Sequence, residues 1–125
     1  MPSWDWSLIS DQGAKHENFV AVHLMKAVHF WQDSGSGDYR LWFLRDKSRR
    51  EVDFLITKNN APWIIVEVKS SQKSGLTQAL QYYYKTIHPQ HAFQVVFDMD
   101  YVDNDCFALQ RPVIVPVQTF LSQLV

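Results

Sequence analysis

The fold is decided by residues 51–69, which read EVDFLITKNNAPWIIVEVK. Residues 51–57 are rich in strand-forming side chains and predict a strand, and residues 58–62 turn the chain. Residues 63–69 are apolar on both alternating faces until Glu67, which is typical of a central strand covered on both sides. These residues therefore predict a hairpin whose second strand lies in the middle of a sheet.

Two carboxylates are expected to face each other across this hairpin. A tight turn centred near Asn60 makes Asp53 and Glu67 directly opposed, with Cβ atoms about 5 Å apart on one face of the sheet. Two like charges at that distance are destabilising unless a cation lies between them. Lys69 follows Glu67 by two residues and is expected on the same face.

The chemistry of these side chains allows two interpretations. Hard cations such as Mg²⁺ bind carboxylate oxygens, and a neighbouring ammonium can orient a water molecule for attack on phosphate. The set then suits phosphodiester hydrolysis. Alternatively, Lys69 neutralises Asp53 and Glu67 in a buried salt-bridge network without function, and the residue types alone slightly favour this alternative.

A further carboxylate, Glu17, belongs to the predicted first helix. Apolar side chains recur at intervals of three and four over residues 11–32 and predict an amphipathic helix. Glu17 lies on the same line as this apolar stripe, where a carboxylate is costly without a partner. We therefore expect Glu17 to join Asp53 and Glu67.

The rest of the chain predicts an α/β fold with a central mixed β-sheet flanked by helices. Strands are predicted over 39–44, 93–97 and 113–117, and helices over 75–87 and 118–125. A charged turn is predicted over 45–50. With 125 residues, the chain is expected to form one domain over 1–125.

Composition narrows the possible classes of protein. The hydrophobic fraction of 46% and charged fraction of 20% are those of a globular domain. A formal net charge of −1 argues against nonspecific coating of nucleic acid, although basic residues concentrate between Arg40 and Lys85. The sequence contains no membrane-spanning run and no signal pattern, so a cytoplasmic protein is expected. The single cysteine, Cys106, is expected to be inert.

The motifs resemble those of the PD-(D/E)XK nuclease superfamily. The similarity lies in the helix that contains Glu17, in residues 51–56 and in residues 65–69, with Val52 in place of the nominal proline. The resemblance implies a restriction-endonuclease-like core with element order α-β-β-β-α-β and a DNA nuclease that uses Mg²⁺ or Mn²⁺. It implies metal ligation by Glu17, Asp53, Glu67 and the carbonyl of Val68, and a water-positioning role for Lys69, with Glu17, Asp53, Glu67 and Lys69 as the catalytic set. Gln78 and Tyr82 match a Gln-x-x-x-Tyr element that is found in RecB-like branches of the superfamily, and the resemblance implies that they bind substrate.

A finer resemblance covers residues 4–97. Residues 4–7, 13–20, 44–47 and 50–54 are similar to a domain of unknown function found C-terminal to many prokaryotic AAA+ ATPases. This chain contains no Gly-x-x-x-x-Gly-Lys-Ser/Thr motif, so ATP hydrolysis is not expected of it. The second functional hypothesis is therefore a catalytically inactive module that binds nucleic acid or protein and partners an AAA+ ATPase.

Several aromatic and histidine residues carry weaker expectations. No histidine pair has the spacing of a helical zinc site, and His16 is expected either at the rim of the site or, more simply, exposed. The consecutive tyrosines at 82–84 could stack on bases, but on a helix two of the three must face the protein or its edge, so core packing is expected instead. Apolar side chains near the two ends of the sequence are expected to serve a homodimer or an ATPase partner: Trp4, Trp6, Phe120, Leu121 and Leu124.

Overall fold

The computed structural model describes residues 12–44, 53–70, 75–100, 105–108 and 111–124. Helix α1 spans Gln12–Asp33, and strands β1, β2 and β3 span Tyr39–Leu44, Asp53–Lys58 and Ala61–Lys69. Helix α2 spans Gln78–Ile87, strands β4 and β5 span His91–Val96 and Pro112–Pro116, and helix α3 spans Val117–Ser122. A turn of 3-10 helix at Cys106–Ala108 precedes β5. The predicted turn over 45–50 and the predictions for Trp4 and Trp6 lie outside the described residues.

The five strands form one mixed sheet in the order β1-β2-β3-β4-β5. Strands β1, β2 and β3 are antiparallel neighbours, whereas β3, β4 and β5 run parallel. Parallel neighbours require a crossover, and α2 supplies it between β3 and β4. The predicted class, an α/β fold with a central mixed sheet flanked by helices, is confirmed.

Strand β3 separates two apolar layers. Val66 and Val68 belong to the larger core, together with Val20 and Leu24 of α1. Ile65, on the opposite face of β3, packs with Leu80 of α2 and Ala92 of β4. Helices α1 and α2 therefore lie on opposite faces of the sheet, which confirms that β3 is covered on both sides.

The β2–β3 hairpin contains a tight turn and a bulge. Asn59 and Asn60 have φ values of 53° and 67°, the positive pair that a type I′ turn requires. Ile56 pairs with Ile64, but Thr57 pairs with Pro62, so β3 carries an extra residue at Trp63. Beyond this bulge, Asp53 pairs with Glu67, and the predicted pairing of these two residues is confirmed.

Helix α2 begins later than the sequence predicts. Gly75 has a φ of +78°, a left-handed conformation that interrupts a right-handed helix. Thr77 is extended, with φ −75° and ψ 156°, and its side chain accepts a hydrogen bond from the backbone N–H of Leu80. The helix therefore starts at Gln78 with Thr77 as its N-cap, and the predicted start at residue 75 is wrong.

The expectation that Phe120 of α3 and Leu124, just after it, offer apolar side chains to a partner is wrong. Phe120 is 0% exposed and Leu124 is buried, and both belong to the larger core. Leu121 is half-buried and packs against the same core. Within the described part of the chain, no helix combines the length and the apolar character that crossing a membrane requires.

Candidate active site

The candidate site is organised by the pairing of Asp53 with Glu67. Asp53 is the first described residue of β2, and the backbone register sets it directly opposite Glu67 of β3. The Asp53 side chain lies outside the part of the structure that can be described. Residues 65 and 67 of β3 share a face, because side chains alternate along a strand. Glu67 therefore faces α2, on the side where Ile65 packs.

Glu67 is a buried carboxylate at the start of α2. It is 1% exposed, and the Thr77 hydroxyl donates a hydrogen bond to its Oε1 atom at 2.6 Å. The Thr77 Oγ1 atom also accepts from the Leu80 N–H at 3.2 Å. The N-terminal end of a helix carries partial positive charge, so this position stabilises a buried negative charge. The N-terminus of α2 therefore helps to hold the Glu67 carboxylate inside the protein.

Gln94 of β4 forms a polar cluster with Thr77 and Glu67. It is the register neighbour of Glu67 and is 1% exposed. Its Oε1 atom accepts from the Thr77 N–H at 3.0 Å, and its Nε2 atom donates to the Gly75 carbonyl at 3.0 Å. The side chain thus fixes the two backbone groups that flank Leu76, just ahead of α2.

Sequence reasoning missed both Thr77 and Gln94. A threonine ahead of a helical pattern is an N-cap signal, but a helix predicted from residue 75 places Thr77 inside the helix and hides that signal. Gln94 is a polar residue within a strand of apolar side chains, where a buried amide needs a partner. Its neighbour Glu67 could not be identified without the register of the parallel strands.

Lys69 and Val68 lie at the carboxyl end of β3. Lys69 is half-buried and shares the Glu67 face by alternation. The Phe97 N–H donates to the Lys69 carbonyl at 3.0 Å, so the backbone groups of Lys69 point towards β4. The carbonyl of Val68 must then point the other way, towards the β2 side. The Val68 side chain is buried on the α1 face.

His16, in the N-terminal part of α1, approaches the same end of the sheet. The His16 ring stacks on Phe97 with centroids 3.8 Å apart, and its Nδ1 atom lies 3.0 Å from the Ser70 Oγ atom. Burial lowers the pKa of His16 below its ordinary value. His16 is half-buried, so the expectation that it is exposed is wrong. Glu17, also half-buried, follows it in α1, which packs on the sheet face opposite to α2.

The substrate-binding candidates lie on α2. Gln78 is exposed at the first position of the helix, directly after Thr77. Tyr82 is 56% exposed, and its ring meets Tyr83 edge to face with centroids 5.6 Å apart. Tyr83 and Tyr84 pack against the smaller apolar cluster, as expected for two of the three tyrosines. The outer surface of α2 thus carries both candidates.

The structure brings the predicted site residues together only in part. It pairs Asp53 with Glu67 and orders Lys69 and Val68 along the same strand. Among the described side chains, no group of three or more His, Cys, Asp or Glu forms a possible metal site. The Asp53 side chain is not among them, so the predicted set of three carboxylates stays a prediction.

Comparisons with known proteins identify a family for this chain. No curated protein and no solved structure matches the chain significantly. The family model described as Domain of unknown function (DUF4143) matches residues 12–118, from the start of α1 into α3. Because this match spans most of the chain, the protein belongs to the DUF4143 family.

Proposed function

We propose that this chain is a metal-dependent DNA nuclease of the PD-(D/E)XK type. The observation that carries the proposal is the direct pairing of Asp53 with Glu67 in the β2–β3 register. Glu67 presents a carboxylate that is 1% exposed, and Lys69 follows on the same face. A buried carboxylate opposite a second acidic residue is costly unless a cation or a hydrogen-bond network compensates it.

The donor set fits Mg²⁺ or Mn²⁺. The carboxylates of Asp53 and Glu67 and the carbonyl of Val68 are oxygen donors, which these hard cations prefer. Glu17 is also an oxygen donor, and it would approach from the α1 side, at the end of β3 where its neighbour His16 meets Ser70. A bound ion supplies charge stabilisation at the phosphate and lowers the pKa of a bound water. Lys69, at the carboxyl end of β3, would orient the attacking water.

The rest of the substrate would be held on the surface of α2. Gln78 and Tyr82 are both exposed on this helix, which starts at the residue that bonds to Glu67. An amide can hydrogen-bond to nucleic acid, and an exposed tyrosine ring can stack on an unpaired base.

Metal binding and DNA cleavage test this proposal separately. Calorimetric titration with Mn²⁺ should show binding that Asp53→Asn weakens strongly. Glu67→Gln should weaken Mn²⁺ binding through the loss of charge alone, because its amide oxygen can still accept the hydrogen bond from Thr77. The proposal fails if the unaltered chain neither binds Mn²⁺ nor cleaves single- or double-stranded DNA.

The lysine offers a control for contaminating nucleases. Lys69→Met should retain Mn²⁺ and lose cleavage rate by roughly 100-fold or more, the scale of a lost proton-transfer or positioning group. Lys85→Met removes an exposed lysine of α2 and should leave the rate unchanged. Equal cleavage by all three proteins would identify the activity as a contaminant.

A catalytically inactive module that binds an AAA+ ATPase, nucleic acid or a second copy of the chain is the second candidate. It is favoured by the contacts of Glu67, because Thr77 and the start of α2 compensate the buried carboxylate without any metal. Trp42 and Phe43 of the edge strand β1 are 48% and 57% exposed, and exposed rings of this kind suit a protein partner. Sedimentation equilibrium at micromolar concentration tests self-association: a monomeric mass unaffected by Phe43→Asp would remove the homodimer from this candidate.

A further inference from the structure

Every hydrogen-bonding group of Thr77 has a partner. Its hydroxyl and its N–H link Glu67, Gln94 and the first turn of α2, and its carbonyl serves the helix. Its hydroxyl hydrogen goes to Glu67 Oε1 at 2.6 Å, and its Oγ1 atom accepts from the Leu80 N–H at 3.2 Å. Its own N–H goes to Gln94 Oε1 at 3.0 Å. Its carbonyl accepts the first bond of the helix, from the Gln81 N–H at 3.2 Å. Thr77 therefore has no alternative arrangement that keeps all of these contacts.

We propose that Thr77 is a positioning residue for Glu67 and thereby links the metal site to helix α2. This inference rests on the proposed function, because it assumes that Glu67 binds the cation. Groups that hydrogen-bond to a metal ligand fix its orientation, and their loss commonly lowers metal affinity. Thr77 occupies that role for Glu67 while it also caps α2.

The hydroxyl is suited to this role because it has only one hydrogen. The N–H of Leu80 needs an acceptor, so the Thr77 oxygen is committed to the helix, and its single hydrogen is directed at the carboxylate. A carboxylate that receives such a bond has one of its two oxygens fixed in direction, which sets where its remaining lone pairs can meet a metal. The cap of α2 and the orientation of Glu67 are thus set by one rotamer of Thr77.

The link extends to the surface of α2. Gln78 follows Thr77 directly and is exposed, so any shift of the helix start that breaks the Thr77–Glu67 bond also moves Gln78. Gln94 resists such a shift, since it anchors the Gly75 carbonyl and the Thr77 N–H to β4. The same contacts therefore set the position of the Glu67 carboxylate and of the first residue of α2.

Metal affinity separates a positioning role from a purely structural one. Thr77→Val should lower the Mn²⁺ affinity measured by calorimetry by roughly 10- to 100-fold. Thr77→Ser keeps the hydroxyl and should restore the affinity. Lys85→Gly is the matched control, because it weakens α2 at an exposed position by an amount comparable to the lost cap without touching the cluster.

The possible outcomes distinguish this inference from the proposed function. If the unaltered chain binds no Mn²⁺, both fail together. If the unaltered chain binds Mn²⁺ and Thr77→Val binds it equally well, only the positioning role fails. If Lys85→Gly lowers the affinity as much as Thr77→Val, the effect belongs to helix stability and the positioning role is again overturned.

A metal-free measurement tests the contact itself. Urea unfolding of Thr77→Val, Glu67→Leu and the double variant forms a cycle in which the two changes should be non-additive by roughly tenfold in the unfolding equilibrium constant. If Glu67→Leu does not fold, Glu67→Gln replaces it, with a smaller coupling expected because its acceptor is neutral. Additive effects in the cycle would overturn the inference.

Discussion

Replacing the buried amide Gln94 with leucine should destabilise the protein although it makes the strand more apolar. The substitution removes two hydrogen bonds of 3.0 Å and leaves the Thr77 N–H and the Gly75 carbonyl without Gln94. Both residues are half-buried, so we assign each orphaned group about 1 kcal/mol, the low end of the usual range. The two groups together cost about 2 kcal/mol, and apolar burial of the leucine offsets part of this loss, which leaves a net cost of about 1 kcal/mol.

Urea unfolding followed by tryptophan fluorescence measures this cost. With an ordinary dependence of stability on urea, Gln94→Leu should lower the midpoint by about 0.5 M. Gln81→Leu is the matched control, because Gln81 donates a single bond of 3.3 Å to the Leu76 carbonyl at an exposed position. Its cost should stay within about 0.5 kcal/mol. Equal midpoints for the two variants would refute the reasoning that the Gln94 cluster anchors the start of α2.

Two further predictions concern titratable groups. Burial raises the pKa of Cys106 to about 11. A backbone hydrogen bond partly opposes this rise, and the neighbouring Asp105 carboxylate adds to it. The thiol should therefore react with Ellman's reagent at pH 8 only after unfolding. The stability of the protein should fall as the pH rises from about 9 to about 11, because in that range the unfolded chain releases a proton that the folded chain retains. Burial lowers the pKa of His16, so in the window below 6.5 the unfolded chain binds a proton that the folded chain does not, and stability falls as the pH falls. His16→Phe, which can still stack on Phe97, should reduce this loss between pH 7 and pH 5.5 in urea titrations; an unchanged pH dependence would contradict the assignment.

The sheet could be predicted largely from local pattern. Strand β1 has the predicted limits, and α1 ends at Asp33, one residue after its predicted end. Both elements are decided by side-chain periodicity and by the glycine-rich loop between them, which are local properties of the sequence. The burial of β3 on both faces could also be predicted, because a continuous apolar run is typical of a strand between two layers.

The polar cluster could not be predicted in the same way. The contact between Thr77 and Glu67 depends on where α2 starts, and that start depends on the left-handed φ of Gly75. The contact of Gln94 with Thr77 depends on the parallel register of β3 and β4, which pairs residues that are distant in the chain. The stacking of His16 on Phe97 likewise joins elements that are distant in the chain.

The pairing of Asp53 with Glu67 shows how a correct prediction can rest on an incomplete picture. A turn centred on Asn60 gives this pairing, but the actual turn consists of Asn59 and Asn60, and by itself it would set Asp53 opposite Val66. The extra residue at Trp63 shifts β3 by one position and restores Glu67 as the partner. Because side chains alternate along a strand, a shift of one residue would otherwise place the two acidic residues on opposite faces of the sheet. The candidate active site therefore depends on the bulge as much as on the acidic residues, and a relative with the same motif but without the extra residue would not bring the two carboxylates onto one face.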